Sequence, residues 1–338
     1  MTQTTKEVMR SLRRRTLLRA ALGTAFAGAA GMGAAALWLR PAPQRQGLRE
    51  FVAADLAFGT TVSLKVLHKD EASAQRAMRA ALDAVRDVDR LMSLYRPDSE
   101  ISRLNRDGHL DHPDARVLAV LQHAQALSAL TNGAFDVTVQ PLWDAAVSGR
   151  NTRPELQRIG WSRLAVDAER LAFRAPGMAL TLNGLAQGYG VDVALAALRQ
   201  HGITDAVLDT GELATLGRRD DGQPWMLGVR DPRDAQALAQ RVAADGRCMA
   251  TSGDYATRFG DSYAKHHIFD PATGESPAEL ASVTVLAPTG LQADGLSTAM
   301  MVMGSARALQ LAASLRDVDV LCIDKDGRRQ HSAGFPQA

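Results

Sequence analysis

The chain has 338 residues, 39 basic and 37 acidic, with 46% hydrophobic and 22% charged side chains. That supports one large or two ordinary packed domains and excludes global disorder. Two cysteines exclude a disulfide scaffold and a cysteine-rich zinc module. The net charge of +2 is carried by residues 1–40, where Lys6, Arg10, Arg13, Arg14, Arg15, Arg19 and Arg40 face only Glu7. The remaining chain is mildly acidic, with no basic patch interleaved with aromatics, so nothing argues for nucleic-acid binding.

The cluster Arg13-Arg14-Arg15-Thr16-Leu17-Leu18 precedes a weakly hydrophobic, Ala/Gly-rich run over 20–39. Residues 1–40 therefore read as an export signal of the twin-arginine type, which places the protein in the periplasm. A run of about 18–20 apolar residues can also anchor a chain in the inner membrane, and no other membrane contact is expected. Residues 41–57 read as a linker with a short start of structure, 58–330 as the folded domain and 331–338 as a tail.

Alternation marks 61–67 as a strand, and helical spacing of Met78, Leu82, Val85, Val88 and Leu91 marks 72–92 as an amphipathic helix. A second helix over 115–130 is closed by Asn132-Gly133, and a short one follows at 154–159. Short strands are expected at 164–166, 170–173 and 179–182, then a helix over 185–199 and a buried strand at 206–209. Further strands are expected at 225–229, 248–251, 267–269, 282–286 and 318–323, with helices at 293–303 and 306–315. The helix over 293–303 is apolar on most faces and is expected to be buried. Cys322 reads as a small buried hydrophobe. This irregular mixture points to an α+β (mixed α/β) fold rather than a doubly wound sheet.

Five segments carry polar chemistry. Residues 92–105 place Tyr95 on a turn that restarts a helix at Asp98 or Ser99. Residues 133–139 combine a Gly-Ala turn with Asp136. Residues 183–192 put glycines at a helix start, where backbone amides can approach an anion such as a pyrophosphate. Residues 251–255 and 266–274 carry adjacent histidines, which point apart and cannot easily share a metal; one of them facing a cleft can act as a general base. Asp294 and Thr298 are i and i+4 on one helical face, where a carboxylate and a hydroxyl can share a hard cation. Each segment alone also reads as ordinary capping, turn or core structure.

Taken together and in this order, the segments resemble the ApbE family of flavin transferases. The resemblance runs from about Gly59 to Gly304 through MSxYxPDSEISxLN, GAFDVTV, AQGYGVD, SGDY, HHIFDPATG and ADGLSTA. It implies an FAD:protein FMN transferase that binds FAD as substrate in a cleft between two lobes. Such an enzyme uses Mg²⁺, attaches FMN through a phosphoester to a Thr or Ser of a target protein, and releases AMP. It further implies Mg²⁺ at Asp294, Thr298 and the carbonyl of Gly184. FAD contacts are implied at Phe58, Tyr95, Ala134, Phe135, Asp136, Thr181, Gln187 and Phe269, and His267 as the base. The implied acceptor is a flavoprotein of the inner membrane or periplasm, either a regulator of nitrous oxide respiration or an Nqr/Rnf-type subunit. A non-transferring FAD-binding protein and a periplasmic FAD pyrophosphatase are the alternatives on the same fold. The chain departs from the family pattern at Gln187, usually Lys, at Thr181, often an acid, and at Gly211-Glu212-Leu213, often Gly-Gly-Asp.

Overall fold

The computed structural model describes Arg45 and residues 47–336; the expected export signal lies outside them. The chain opens with strands β1 (Arg49–Ala57) and β2 (Thr60–His68) and helices α1 (Glu71–Met92) and α2 (Glu100–Asp107). Next come β3 (His109–Asp111), α3 (Ala115–Leu130), α4 (Gln140–Val147), β4 (Leu164–Val166) and β5 (Arg170–Phe173). Helix α5 (Ala186–Gln200) leads into β6 (Asp205–Asp209), β7 (Leu213–Leu216), β8 (Met226–Arg230), β9 (Leu238–Ala243) and β10 (Cys248–Gly253). The last part holds β11 (Leu280–Ala287), α6 (Gly290–Met303), α7 (Ser305–Ser314), β12 (Asp319–Asp324) and β13 (Arg329–His331).

Eight strands form one sheet in the order β1-β2-β6-β7-β10-β11-β12-β13, with every neighbouring pair antiparallel. The α+β expectation holds, because an antiparallel sheet needs no crossover helix between neighbours. Strands β3, β5 and β4 make a small second sheet, and β8 with β9 a two-stranded ribbon. All eight residues of β11 are buried. Val283, Val285 and Ala287 face the main core with α1, α5 and α6, while Leu286 joins Met249, Leu321 and Ile323 against Leu227, Val229 and Val242 of the ribbon. A strand covered on both faces reads as a continuous apolar run, which is why its sequence does not alternate. Cys248 and Cys322 are free and buried, on strands separated by β11, and burial pushes both thiols up to about 12.

Several expectations need correction. The linker expected over 41–57 contains β1, whose alternating exposure fits an edge strand with one covered face. The strand expected over 179–182 does not join a sheet. The Asn105 side chain bonds both the N–H and the C=O of Leu180, at 2.7 Å each, and Thr181 N–H donates to the Val137 carbonyl, so these groups are satisfied without a ladder. The strand expected over 267–269 is also absent, because the His266 N–H donates to the Ser276 hydroxyl and the Asp270 turn follows at once. Helix α4 was not expected from the sequence; its Pro141 stands in the first helical turn, where it leaves no lost bond.

Helices α5 and α6 meet backbone to backbone. A methyl group at Gly188 would sit 2.2 Å from the Gly290 carbonyl oxygen and 2.7 Å from Asp294 Cβ. Gly188→Ala is therefore expected to destabilise the protein by about 2–3 kcal/mol or more, read as a lower urea midpoint, the upper range for overpacking against an unyielding backbone. A substitution costing nothing would show that this crossing is not tight.

Candidate functional site

The start of α5 and the first turns of α6 cap each other. Asp294 Oδ2 accepts from the Gly188 N–H at 3.0 Å, while the Asp192 carboxylate accepts from the N–H groups of Gly290 and Leu291 at 2.7 and 2.9 Å. Each carboxylate occupies a helix start, where the free amides and the helix dipole favour negative charge. Asp294 and Thr298 thus share one face of α6, turned to the loop that enters α5. A methyl group at Gly184 would lie 2.9 Å from Thr298 Oγ1 and 3.5 Å from the Phe135 ring. The Gly184 backbone thereby meets Thr298, with Phe135 closing one side and Asp294 one turn earlier on the same face of α6.

The end of β10 joins the same cluster. Ser252 Oγ lies 2.8 Å from Ser297 Oγ and 3.2 Å from Thr298 Oγ1. Glu212, in the β6–β7 turn, is buried and accepts from the Thr251 N–H at 3.2 Å. Asp294 is 4% exposed, and burial raises its carboxyl to about 7. Burial, and then the charge of Asp294, push Glu212 well above the usual carboxylate range. Two buried carboxylates raised together, with no cationic side chain among their perturbing groups, are what a bound cation would relieve. Among the described residues no three His, Cys, Asp or Glu side chains gather as metal ligands. Asp294, Thr298 and the Gly184 carbonyl could instead offer a carboxylate, a hydroxyl and a carbonyl oxygen to a hard cation.

The two histidines have separate roles. His266 is fully buried; its Nε2 lies 3.2 Å from the Pro277 carbonyl and its Nδ1 has no partner. His267 is half-buried, its backbone N–H bonded to the Thr257 carbonyl. Its Nδ1 lies 3.4 Å from the same oxygen, and donation there leaves Nε2 as the acceptor. Burial, then the neighbouring His266, bring its pKa down to about 4, so the ring is neutral at ordinary pH.

An aromatic wall stands on the other side of α5. Phe58 and Gly59 form the two-residue turn between β1 and β2, with φ of +53° and +74°. A type I′ turn requires this conformation, which costs a non-glycine residue about 1–2 kcal/mol. The Phe58 ring packs on Gly190, 3.0 Å from where a methyl group would be, and the Tyr95 ring packs 3.3 Å from the same point on Gly59. Tyr95 remains 51% exposed.

The other expected residues divide. Ala134 and Phe135 follow the Asn132-Gly133 turn, and Phe135 reaches Gly184 as described. Asp136 is an internal cap: Oδ1 accepts from the N–H and hydroxyl of Thr138, and Oδ2 from the Trp161 N–H. Thr181 Oγ1 accepts from the Asn183 N–H, just before Gly184. Gln187 turns into the β6–β7 turn, donating to the Thr210 carbonyl at 2.9 Å while the Thr210 hydroxyl donates to the Gln187 carbonyl. Phe269 is buried in a separate apolar cluster with Leu142 and Ile159, stacked on Phe259 at 6.1 Å. Ser252, Glu212, Asp192 and Asp89 had no assigned role in the sequence. The first three were visible as polar residues within or beside the motifs, but their partners lie 39 to 99 positions away.

Residues 58–322 match the ApbE family. An FAD:protein FMN transferase of Vibrio cholerae is 32% identical over 295 residues, covering 81% of this chain and 88% of that protein. One from Haemophilus influenzae is 32% identical over 279 residues, covering 75% and 81%. The solved structure of the flavin transferase ApbE from Vibrio cholerae aligns with a TM-score of 0.73 at 31% identity, over 85% of this chain and 98% of that one.

The raised Asp294 carboxyl has a measurable sign. Its usual value is 3.8 and its folded value about 7, so between them the folded state holds the proton more tightly. Metal-free stability is expected to fall as pH rises through that window, in urea titrations with EDTA. Asp294→Asn, which keeps an acceptor for Gly188, should reduce the slope; an unchanged slope would remove Asp294 as its source.

Proposed function

The chain belongs to the ApbE family and is a transferase of the FAD:protein FMN type, and we propose that it moves FMN from FAD to a Thr or Ser hydroxyl of a target protein, releasing AMP, with Mg²⁺ held by Asp294, Thr298 and the Gly184 carbonyl. The observation that carries the metal assignment is the buried, raised Asp294 beside Thr298 at the glycine-rich start of α5.

FAD lies along α5, with its flavin at the Phe58–Tyr95 wall and its diphosphate toward the Gly184–Gly188 helix start. Asp294, Thr298 and the Gly184 carbonyl would hold the cation, which would supply neutralisation of the phosphate charge. The acceptor hydroxyl attacks the FMN-side phosphorus. A phosphoester P–O bond forms, the P–O bond to AMP breaks, and AMP leaves with the bridging oxygen. His267 Nε2 takes the hydroxyl proton, the role open to a neutral imidazole whose Nδ1–H is directed to Thr257. Asp294 and Asp192 hold the two helix starts in register, and Gln187 holds the Thr210–Gly211 turn against α5. The acceptor is an inner-membrane or periplasmic flavoprotein, and the twin-arginine signal over 1–40 places the enzyme on the same side of the membrane.

With FAD, Mg²⁺ and a flavin-accepting membrane-protein fragment, a fluorescent protein band should survive denaturation and be lost with EDTA. FAD hydrolysed to FMN and AMP without a labelled band would favour the pyrophosphatase instead. Asp294→Ala should abolish labelling while the fold persists by circular dichroism. His267→Ala should lower transfer by about 100-fold or more, the usual scale for a lost general base; activity within about twofold would remove it from the mechanism.

The pH profile tests the same assignment. At saturating Mg²⁺, kcat/KM should show no acidic limb from His267 near its usual 6.5, only one approaching about 4. A limb near 6.5 that vanishes in His267→Gln would overturn the neutral-base reading.

A further inference from the structure

Asp89 lies near the C-terminal end of α1, and its side chain is 9% exposed. Its Oδ1 accepts from the backbone N–H of Phe58 at 2.8 Å. Its Oδ2 accepts from Arg96 Nε at 2.7 Å, in an ion pair that raises the Arg96 pKa through the hydrogen bond and then the charge. The Asp89 backbone carbonyl also accepts from the Ser93 N–H that ends the helix. One buried carboxylate therefore joins two turns that are otherwise separate in the chain. One is the β1–β2 turn carrying Phe58, the other the post-helical turn carrying Tyr95 and Arg96.

Both turns need such a tether. Phe58 has φ +53°, a conformation favoured by Gly, Asn and Asp, and a phenyl side chain makes no local hydrogen bond to stabilise it. Tyr95 packs over Gly59, so the position of its ring follows the position of the β1–β2 turn. Phe58 packs on Gly190 of α5, so the same turn also sets the wall's distance from that helix.

We propose that Asp89 is a positioning residue for FAD: by holding the Phe58 backbone and the Arg96 side chain together, it sets the spacing of the Phe58–Tyr95 wall that receives the flavin ring. This rests on the reading of that wall as the flavin site. Asp89 itself touches neither substrate nor the reacting phosphorus, so its effect falls on FAD binding rather than on the chemical step.

The test uses the folded domain with FAD and Mg²⁺. Asp89→Asn keeps the shape but loses the charge that holds Arg96. Arg96→Met removes the partner from a half-exposed position where folding is not at stake. Asp89→Asn should weaken the FAD dissociation constant about 10-fold, with kcat at saturating FAD within about threefold, since charged hydrogen bonds lie on this scale. Arg96→Met should weaken it in the same direction and change the visible circular dichroism of the bound flavin. Asp89→Glu should restore part of the affinity. Affinity within about twofold of the parent in both variants, while Phe58→Ala and Tyr95→Ala weaken binding, would overturn the positioning role and leave the wall intact. Unchanged affinity in Phe58→Ala and Tyr95→Ala as well would remove the wall itself, and the proposal with it. If Asp89→Asn does not fold, Arg96→Met alone decides.

Discussion

The reciprocal capping of α5 and α6 is the constraint on which the site depends. Gly188 and Gly290 allow the two helices to touch through their backbones, and at that distance Asp192 and Asp294 each reach the other helix's first amides. The arrangement fixes where Asp294 and Thr298 stand relative to Gly184. It also explains how a carboxylate can be buried in so apolar a helix. Helix α6 contributes Leu296, Ala299, Met300 and Met301 to the core, and Asp294 is tolerated because an α5 amide meets it. The single bond to Gly188 does not discharge the full cost, as the raised pKa records. The cost that remains is the binding energy a cation can recover.

The sheet puts the other parts within reach of this crossing. Strand β10 delivers Ser252 to α6, and the β6–β7 turn delivers Glu212 beside Asp294. The β1–β2 hairpin delivers Phe58 to the outer side of α5. All of these come from turns or strand ends, while the strand interiors are packed by aliphatic side chains. A rigid antiparallel sheet thus fixes the origin of each loop, and the loops carry the chemistry.

Much of the fold was legible because its signals are local. Helices α1 and α3 and strands β2 and β11 follow from periodicity and length, and Ser99 caps α2 as its turn chemistry indicates. What was hidden depends on distant partners. The extended segment around Leu180 looks like a strand until Asn105 takes its backbone bonds. Asp136 reads as a ligand contact, and only the structure shows that Thr138 and Trp161 also donate to its oxygens. Gln187 marks a departure from the family pattern, but only the structure places its amide against Thr210. The pairing of Asp294 and Thr298 on one helical face was readable because i and i+4 is a local relation; the contacts of Asp192, Glu212 and Ser252 were not, because theirs are distant.

Several of the places where this chain breaks a local rule lie along α5. Phe58 occupies a positive-φ turn position better suited to Asn or Gly. Asp294 and Glu212 bury two acids side by side. Gly211 adopts φ +103°, and a methyl group there would lie 2.0 Å from the Gln187 amide nitrogen. Selection for stability alone would remove such conflicts, and their grouping along one helix supports the proposal that they serve a common ligand. A dinucleotide with a planar ring at one end and a charged diphosphate beyond it matches their distribution. The aromatic wall stands at one side of α5, and the buried acids and glycine-rich helix start lie at its N-terminal end. On the proposed reading, the strain at Phe58 and the electrostatic cost at Asp294 are two parts of one requirement, that the ring and the diphosphate of the ligand each be met by a site formed before it arrives.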